Sequence, residues 1–156
     1  MSTRLTEKGI PMVESQSLQL VQATAKVQEN TSDFLSKSLK DKGYQSATPS
    51  VLGFLGALDC GVNYGSEIAR SLGVSRQMVA KTVKELCKTG YLLQVDGVGK
   101  QKQIVFTELG EHLMSDARQI LADLDNIFKK EIGRDVFEQT LAGLEQIQAL
   151  VEKTQA

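Results

Sequence analysis

The sequence predicts a mainly α protein with one small β-hairpin, and three observations carry that prediction. Proline occurs only at Pro11 and Pro49, so nothing beyond residue 49 is interrupted by it. Apolar residues recur at helical spacing along most of the chain. Between Tyr91 and Phe106 the period switches from helical to alternating around a glycine-rich turn. The chain has 156 residues, 41% apolar and 24% charged, enough for one real core. Aromatics are 5% with no Trp, which suits a helical core of Leu, Val, Ile and Ala.

Residues 1–12 are polar, contain Gly9 and Pro11, and read as a flexible N-terminal arm. From Val13 to Lys42 there is neither Pro nor Gly, and Leu20, Val27, Phe34, Leu35 and Leu39 recur at helical spacing. This is one long helix, ended by Gly43. Thr48-Pro49 opens the next helix as N-cap and first helical residue. Val51, Leu52, Leu55 and Leu58 form its buried face, and it ends near Cys60-Gly61.

Residues 64–72 form a short helix with Ser66 as its cap and Ile68, Ala69 and Leu72 inward. Gly73 stops it, and Ser75 caps a helix over 75–89 that buries Met78 or Val79, Val83 and Leu86. Gly90 terminates that helix. Tyr91 to Val95 is a strand, Asp96-Gly97-Val98-Gly99 a turn, and Gln101 to Phe106 the returning strand. Thr107 caps a long helix with acids in its first turn and Leu113, Ala117, Ile120, Leu124 and Ile127 along one stripe. A break near Gly133 leads into a last helix carrying Phe137, Leu141, Leu144, Ile147 and Val151.

Two short helices joined by a glycine turn, followed by a hairpin and a capped helix, follow the winged helix-turn-helix plan. The lobe spans 48–107, and long helices flank it at 13–47 and 108–156. Such a plan suits double-stranded DNA, because the major groove admits one helix whose N-terminal part reads base edges. Here that part is Ser75, Arg76, Gln77 and Met78. Arg76 has the donors for guanine and Gln77 the donor and acceptor for adenine. Lys81, Lys84, Lys100 and Lys102 are placed to meet the DNA backbone. The formal net charge is −1, which argues mildly against nucleic acid. Its distribution matters more: Arg70, Arg76, Lys81, Lys84, Lys88, Lys100 and Lys102 face only Glu85 and Asp96 within the same stretch. A solvated basic surface on an ordinary domain is the plain alternative, and a winged-helix module that binds another protein is a second.

From Thr48 to Gly110 the chain resembles the MarR family of bacterial transcription regulators. The resemblance is carried by TPSVLGFLGAL, GSEIARSLGVSRQMVAKTVKELCKTGYL and IVFTELGEHL, and the flanking long helices agree with it. It implies dimerising helices at both ends, and a homodimer on a palindromic operator, often a repressor released by a small ligand. It also implies a pocket between the helical region and the lobe. Tyr44, Phe54 and Tyr64 are candidates for its lining, and core packing explains them equally well. The sequence departs from the family at the wing tip. An Asp-x-Arg is common there, and Val98-Gly99-Lys100 stands in its place. Lys lacks the planar fork of Arg, which implies a more mobile tip or a weaker contact.

The first helix and the last two are too apolar for the edge of a monomer. Leu20, Val27, Phe34, Ile120, Leu124, Ile127, Leu144, Ile147 and Val151 form the expected dimer seam, with closure into a monomeric bundle as the alternative. Cys60 and Cys87 form no CxxC pair and no disulfide framework. Cys87 lies near Lys84 and Lys88, whose charge would lower its pKa, so a redox sensor is a third reading beside a packed thiol. His112, the only histidine, has no companion at metal-ligand spacing. No catalytic set, cofactor motif, signal peptide or membrane span is evident, and a cytoplasmic non-enzyme is expected.

Overall fold

Hydroxyl caps fix where the long elements begin in this computed structural model, which describes residues 2–61 and 63–156. Ser15 accepts a hydrogen bond from the Leu18 N–H and opens α1 (Gln16–Asp41). Thr48 accepts from Val51 and opens α2 (Pro49–Asp59). Ser75 accepts from Met78 and opens α4 (Arg76–Thr89). Thr107 accepts from Gly110 and opens α5 (Glu108–Glu131). Each such cap is worth about 1 kcal/mol. The remaining elements are a short hairpin of β1 (Thr3–Leu5) and β2 (Pro11–Val13), helix α3 (Gly65–Leu72), the antiparallel pair β3 (Leu92–Asp96) and β4 (Lys102–Phe106), and helix α6 (Arg134–Gln155).

The expected architecture of helices with one small hairpin wing is present, with four local corrections. Residues 1–12 are not a loose arm throughout. Thr3 pairs with Val13 and Leu5 with Pro11. The turn is closed by Thr6, whose carbonyl accepts from Gly9 N–H and whose hydroxyl accepts from Ile10 N–H. The first long helix consequently starts at Gln16 rather than Val13. Ser66 is not a cap: Tyr64 holds the N-cap position of α3 without a side-chain bond. Leu72, expected inward, is exposed at the end of α3, and Val79 rather than Met78 (56% exposed) is the buried residue of α4.

The core sits inside the winged lobe and reaches only part of the long helices. Leu55 and Leu58 of α2, Ile68 of α3, Val79, Val83 and Leu86 of α4 meet Leu92 of β3 and Ile104 of β4. Leu39 from the end of α1, and Leu113, Ala117 and Ile120 from the first half of α5, close it. Ile120 is therefore packed in the core of its own chain, 9% exposed, and offers little surface of its own to a seam. The remaining seam candidates stay at the surface: Val27, Phe34, Ile127, Leu144, Ile147 and Val151 are exposed, and Leu20 and Leu124 are half-buried. No residue of helix α6 is fully buried, and its Phe137 is half-buried with its ring 5.4 Å from that of Phe128 in α5.

Polar contacts tie the α1–α2 loop to the core. The buried Ser36 hydroxyl donates to the Ala47 carbonyl and the Tyr91 hydroxyl to the Gln45 carbonyl. Tyr44 donates to Asp116 Oδ2 at 2.7 Å, and the Arg118 guanidinium pairs with Asp59. Burial, reinforced by the Asp116 carboxylate, pushes the Tyr44 pKa up to about 12. Burial also raises the Tyr91 phenol and the Cys87 thiol. The folded state holds these protons more tightly than the unfolded chain does. The stability they contribute is fully present below their ordinary pKa values and is lost as pH rises through the folded ones. Urea midpoints are therefore expected to fall between pH 10 and about 12, and less steeply in Tyr44→Phe; an equally steep fall in that variant would remove Tyr44 from the effect. No helix among the described residues is long and apolar enough to cross a membrane.

Candidate nucleic-acid interface

Helix α4 presents its N-terminal turn free of the body of the lobe. Its inner face is fixed by Val79, Val83 and Leu86, which recur at helical spacing and are buried. Ser75, Arg76, Gln77 and Met78 are all exposed, as are Lys81, Lys84 and Lys88. Spacing of four, three and four residues sets Gln77, Lys81, Lys84 and Lys88 in one stripe along the helix. The first turn of α4 carries no acid, so the positive end of the helix dipole is unopposed there.

Arg76 lies roughly 100° around the helix from Gln77 and faces the wing. It lines a cleft of about 320 Å³ with Tyr64, Ser66, Gln94 and Lys102, floored by Val79, Val83 and Ile104. The sequence grouped Arg76 and Gln77 as one reading set. The structure separates them, Gln77 on the outer stripe and Arg76 at the cleft between helix and wing.

The two wing lysines also differ. Lys102 sits at the base of the wing, where its ammonium pairs with Asp96 Oδ1 at 2.5 Å across the β3–β4 ladder. Asp96 cancels much of its charge, and an exposed pair of this kind is worth under about 1 kcal/mol. Lys100 is at the exposed tip and makes no ion pair among the described residues.

Tyr64 holds the wing in place, which sequence reasoning missed. Its backbone bridges to Gln103, and the adjacent Asn63 carbonyl accepts from Ile104 N–H at 2.8 Å. Its hydroxyl accepts from Val98 N–H at 3.3 Å. Gly97 lies so close to the ring that a Cβ there would stand 2.7 Å from it. The ring and the wing turn thus approach each other as only glycine allows. An aromatic one residue before a helix carries no sequence signal of this pairing, because its partners lie more than thirty residues away.

Solved structures share this arrangement over most of their length. A MarR transcriptional regulator from Methanosarcina mazei Go1 superposes with a TM-score of 0.72 at 16% identity, over 89% of this chain and 99% of that one. Wild-type MarR from E. coli, in its apo form, gives 0.66 at 14%, over 87% and 98%. The transcriptional regulator BldR from Sulfolobus solfataricus gives 0.63 at 18%, over 86% and 95%. The chain has the MarR-type winged-helix fold. At these identities the likeness is one of fold. Neither a protein-family model nor a curated protein sequence matches the chain.

Within the MarR-type fold, the three aromatic residues assigned to a ligand pocket do not meet in one cavity. Phe54 is packed in the core and 5% exposed. Tyr44 is engaged with Asp116 beside α5, and Tyr64 lines the wing cleft. The expectation for Cys87 also reverses. Its side chain turns from Lys84 and Lys88 toward the core, and burial pushes its pKa up, disfavouring the reactive thiolate. Cys60 is exposed at the end of α2. His112 is exposed, 3.7 Å from Glu108 one turn back. Among the described residues no group of three or more His, Cys, Asp or Glu converges as a metal site.

Proposed function

We propose that this chain is a transcription regulator that binds double-stranded DNA as a homodimer on a palindromic operator, acting as a repressor. The observation that carries the reading is the exposed, acid-free N-terminal turn of α4, with Arg76 and Gln77 at its tip and Lys81, Lys84 and Lys88 behind them. The major groove, about 12 Å wide, admits such a helix, and backbone contacts from the lysines and the wing orient it. Two copies related by a twofold axis present two such helices ~34 Å apart, one per half-site. The apolar residues of α1, α5 and α6 left at the surface support the homodimer, since a monomer rarely exposes so extended an apolar face. Release by a small ligand rests on the family resemblance, and residence in the cytoplasm on the sequence, which shows neither a signal-peptide pattern nor a disulfide framework. The net charge of −1 favours one competing reading, a winged-helix module that binds protein.

Fluorescence anisotropy with the duplex upstream of the protein's own gene separates the two. Binding clearly tighter than to a scrambled duplex at about 150 mM salt is expected; equal binding to both would favour the protein-binding module. Lys100→Ala is expected to weaken every duplex alike and to lower the slope of log K against log salt by about 1. The paired Lys102 is expected to contribute less, so Lys102→Ala should change that slope by a smaller amount. Equal slopes for Lys100→Ala and wild type would remove the wing tip from the backbone contacts.

A further inference from the structure

The N-terminal hairpin is amphipathic, and among the described residues every position of its two strands is exposed. Residues directly opposite in an antiparallel pair share a face, so Thr3, Leu5, Pro11 and Val13 form one side and Arg4 and Met12 the other. The second side is closed by an ion pair between Arg4 and Glu14 at 4.0 Å, a surface that suits water. The first side is apolar, with Leu5 69% and Val13 58% exposed. Among the described residues none from 2 to 19 is buried. A lone two-stranded hairpin is marginal in water, so this one needs a surface against its apolar side.

We propose that the hairpin is a clasp that packs its Leu5–Pro11–Val13 face on the helices of a second copy of this chain. The proposal rests on the homodimer reading above and adds a part to it. DNA is a poor occupant, because the face carries no cation. The position of the hairpin favours a second copy. Ser15 alone separates Glu14 from α1, and the unfilled helical surface begins immediately beyond it. A groove of about 530 Å³ runs along Gln16, Leu20 and Ala23 to Ile147 of α6. It continues into a groove of about 590 Å³ between Leu20, Val27, Phe137 and Leu141. Exposed Leu18 and Val21 flank the same stretch. A partner whose helices fill these grooves brings apolar surface to the hairpin at the same time, and by symmetry receives the other hairpin in return.

Sedimentation of the full chain, with subunit exchange followed by fluorescence energy transfer, tests this. The double variant Leu5→Asp/Val13→Asp is expected to weaken self-association by at least about tenfold and to speed exchange correspondingly. Leu5→Ala/Val13→Ala, which adds no charge, is expected to shift both in the same direction by less. Arg4→Ala/Glu14→Ala, on the wet side, is expected to leave both near wild type. The helices contribute the far-UV signal and do not rest on the hairpin, so an unchanged helical spectrum certifies the fold of each variant. A wild-type dimer whose affinity and exchange are unaffected by either apolar-face variant overturns the clasp and leaves the homodimer standing. A wild type that sediments as a monomer at tens of micromolar overturns the homodimer and the clasp with it.

Discussion

Replacing Gly110 with alanine is expected to destabilise the protein by about 3 kcal/mol or more, since a Cβ there meets a closer neighbour than at any other glycine. The reason is a close approach of two backbones. A Cβ at Gly110 would stand 2.2 Å from the Tyr91 carbonyl oxygen and 3.0 Å from the Phe106 ring. Neither neighbour can retreat. The Tyr91 carbonyl accepts from Thr107 N–H, and the Tyr91 side chain is 1% exposed with its hydroxyl bound to Gln45. Gly110 itself is held by its N–H bond to the Thr107 cap. The helix-propensity gain of Gly to Ala, about 1 kcal/mol, offsets only part of the clash. Gly53→Ala is the matched control. It lies within α2 and a Cβ there meets nothing within 4 Å, so alanine is expected to stabilise by roughly 0.5–1 kcal/mol. Urea unfolding of the two variants checks both signs. A loss below about 1 kcal/mol for Gly110→Ala would mean that α5 is not docked this closely on the start of the wing.

Arg76→Ala is expected to cost about 1–3 kcal/mol in binding to the preferred duplex while leaving random duplex nearly unchanged. That corresponds to roughly tenfold to a few hundredfold in affinity. Arg76 is the first residue of α4, exposed, and directed to the cleft beside the wing rather than along the lysine stripe. A guanidinium there reaches a base edge with two parallel donors, which an ammonium cannot copy. Arg76→Lys is therefore expected to recover charge, and with it general affinity, but little of the preference. Gln77→Ala is expected to affect a different base pair, because its side chain leaves the helix on another side. Equal losses on all duplexes for Arg76→Ala would reassign Arg76 to the backbone.

Much of this architecture is legible in the residues because its signals are local. Thr48-Pro49, Ser75 and Thr107 cap helices through bonds to residues three positions on, and Gly73 and Gly90 end helices in the left-handed region. Those short-range rules place α2, α4, α5 and the wing to within a residue or two. The features that escaped are those made by distant partners. The N-terminal hairpin escaped because its alternating runs are three residues each, below any useful window. Tyr64 was legible as an aromatic residue but not as the prop of a turn at Gly97 and Val98. Ile120 shares a stripe with Ile127, and periodicity cannot tell where along one helix the core of its own chain ends. Cys87 shows the same limit for electrostatics. Two neighbouring lysines in sequence suggested a lowered pKa, while burial, a tertiary property, sets the opposite sign.

Selection of binding sites from a randomised duplex library tests the central claim most directly. If the N-terminal turn of α4 reads base edges and two copies act together, the wild-type protein will enrich one inverted repeat. Its half-sites will be centred about one helical turn apart, and the Arg76→Ala protein will enrich it with one position in each half-site relaxed. Recovery of no sequence above the starting library at about 150 mM salt, or of an identical motif with Arg76→Ala, would contradict it.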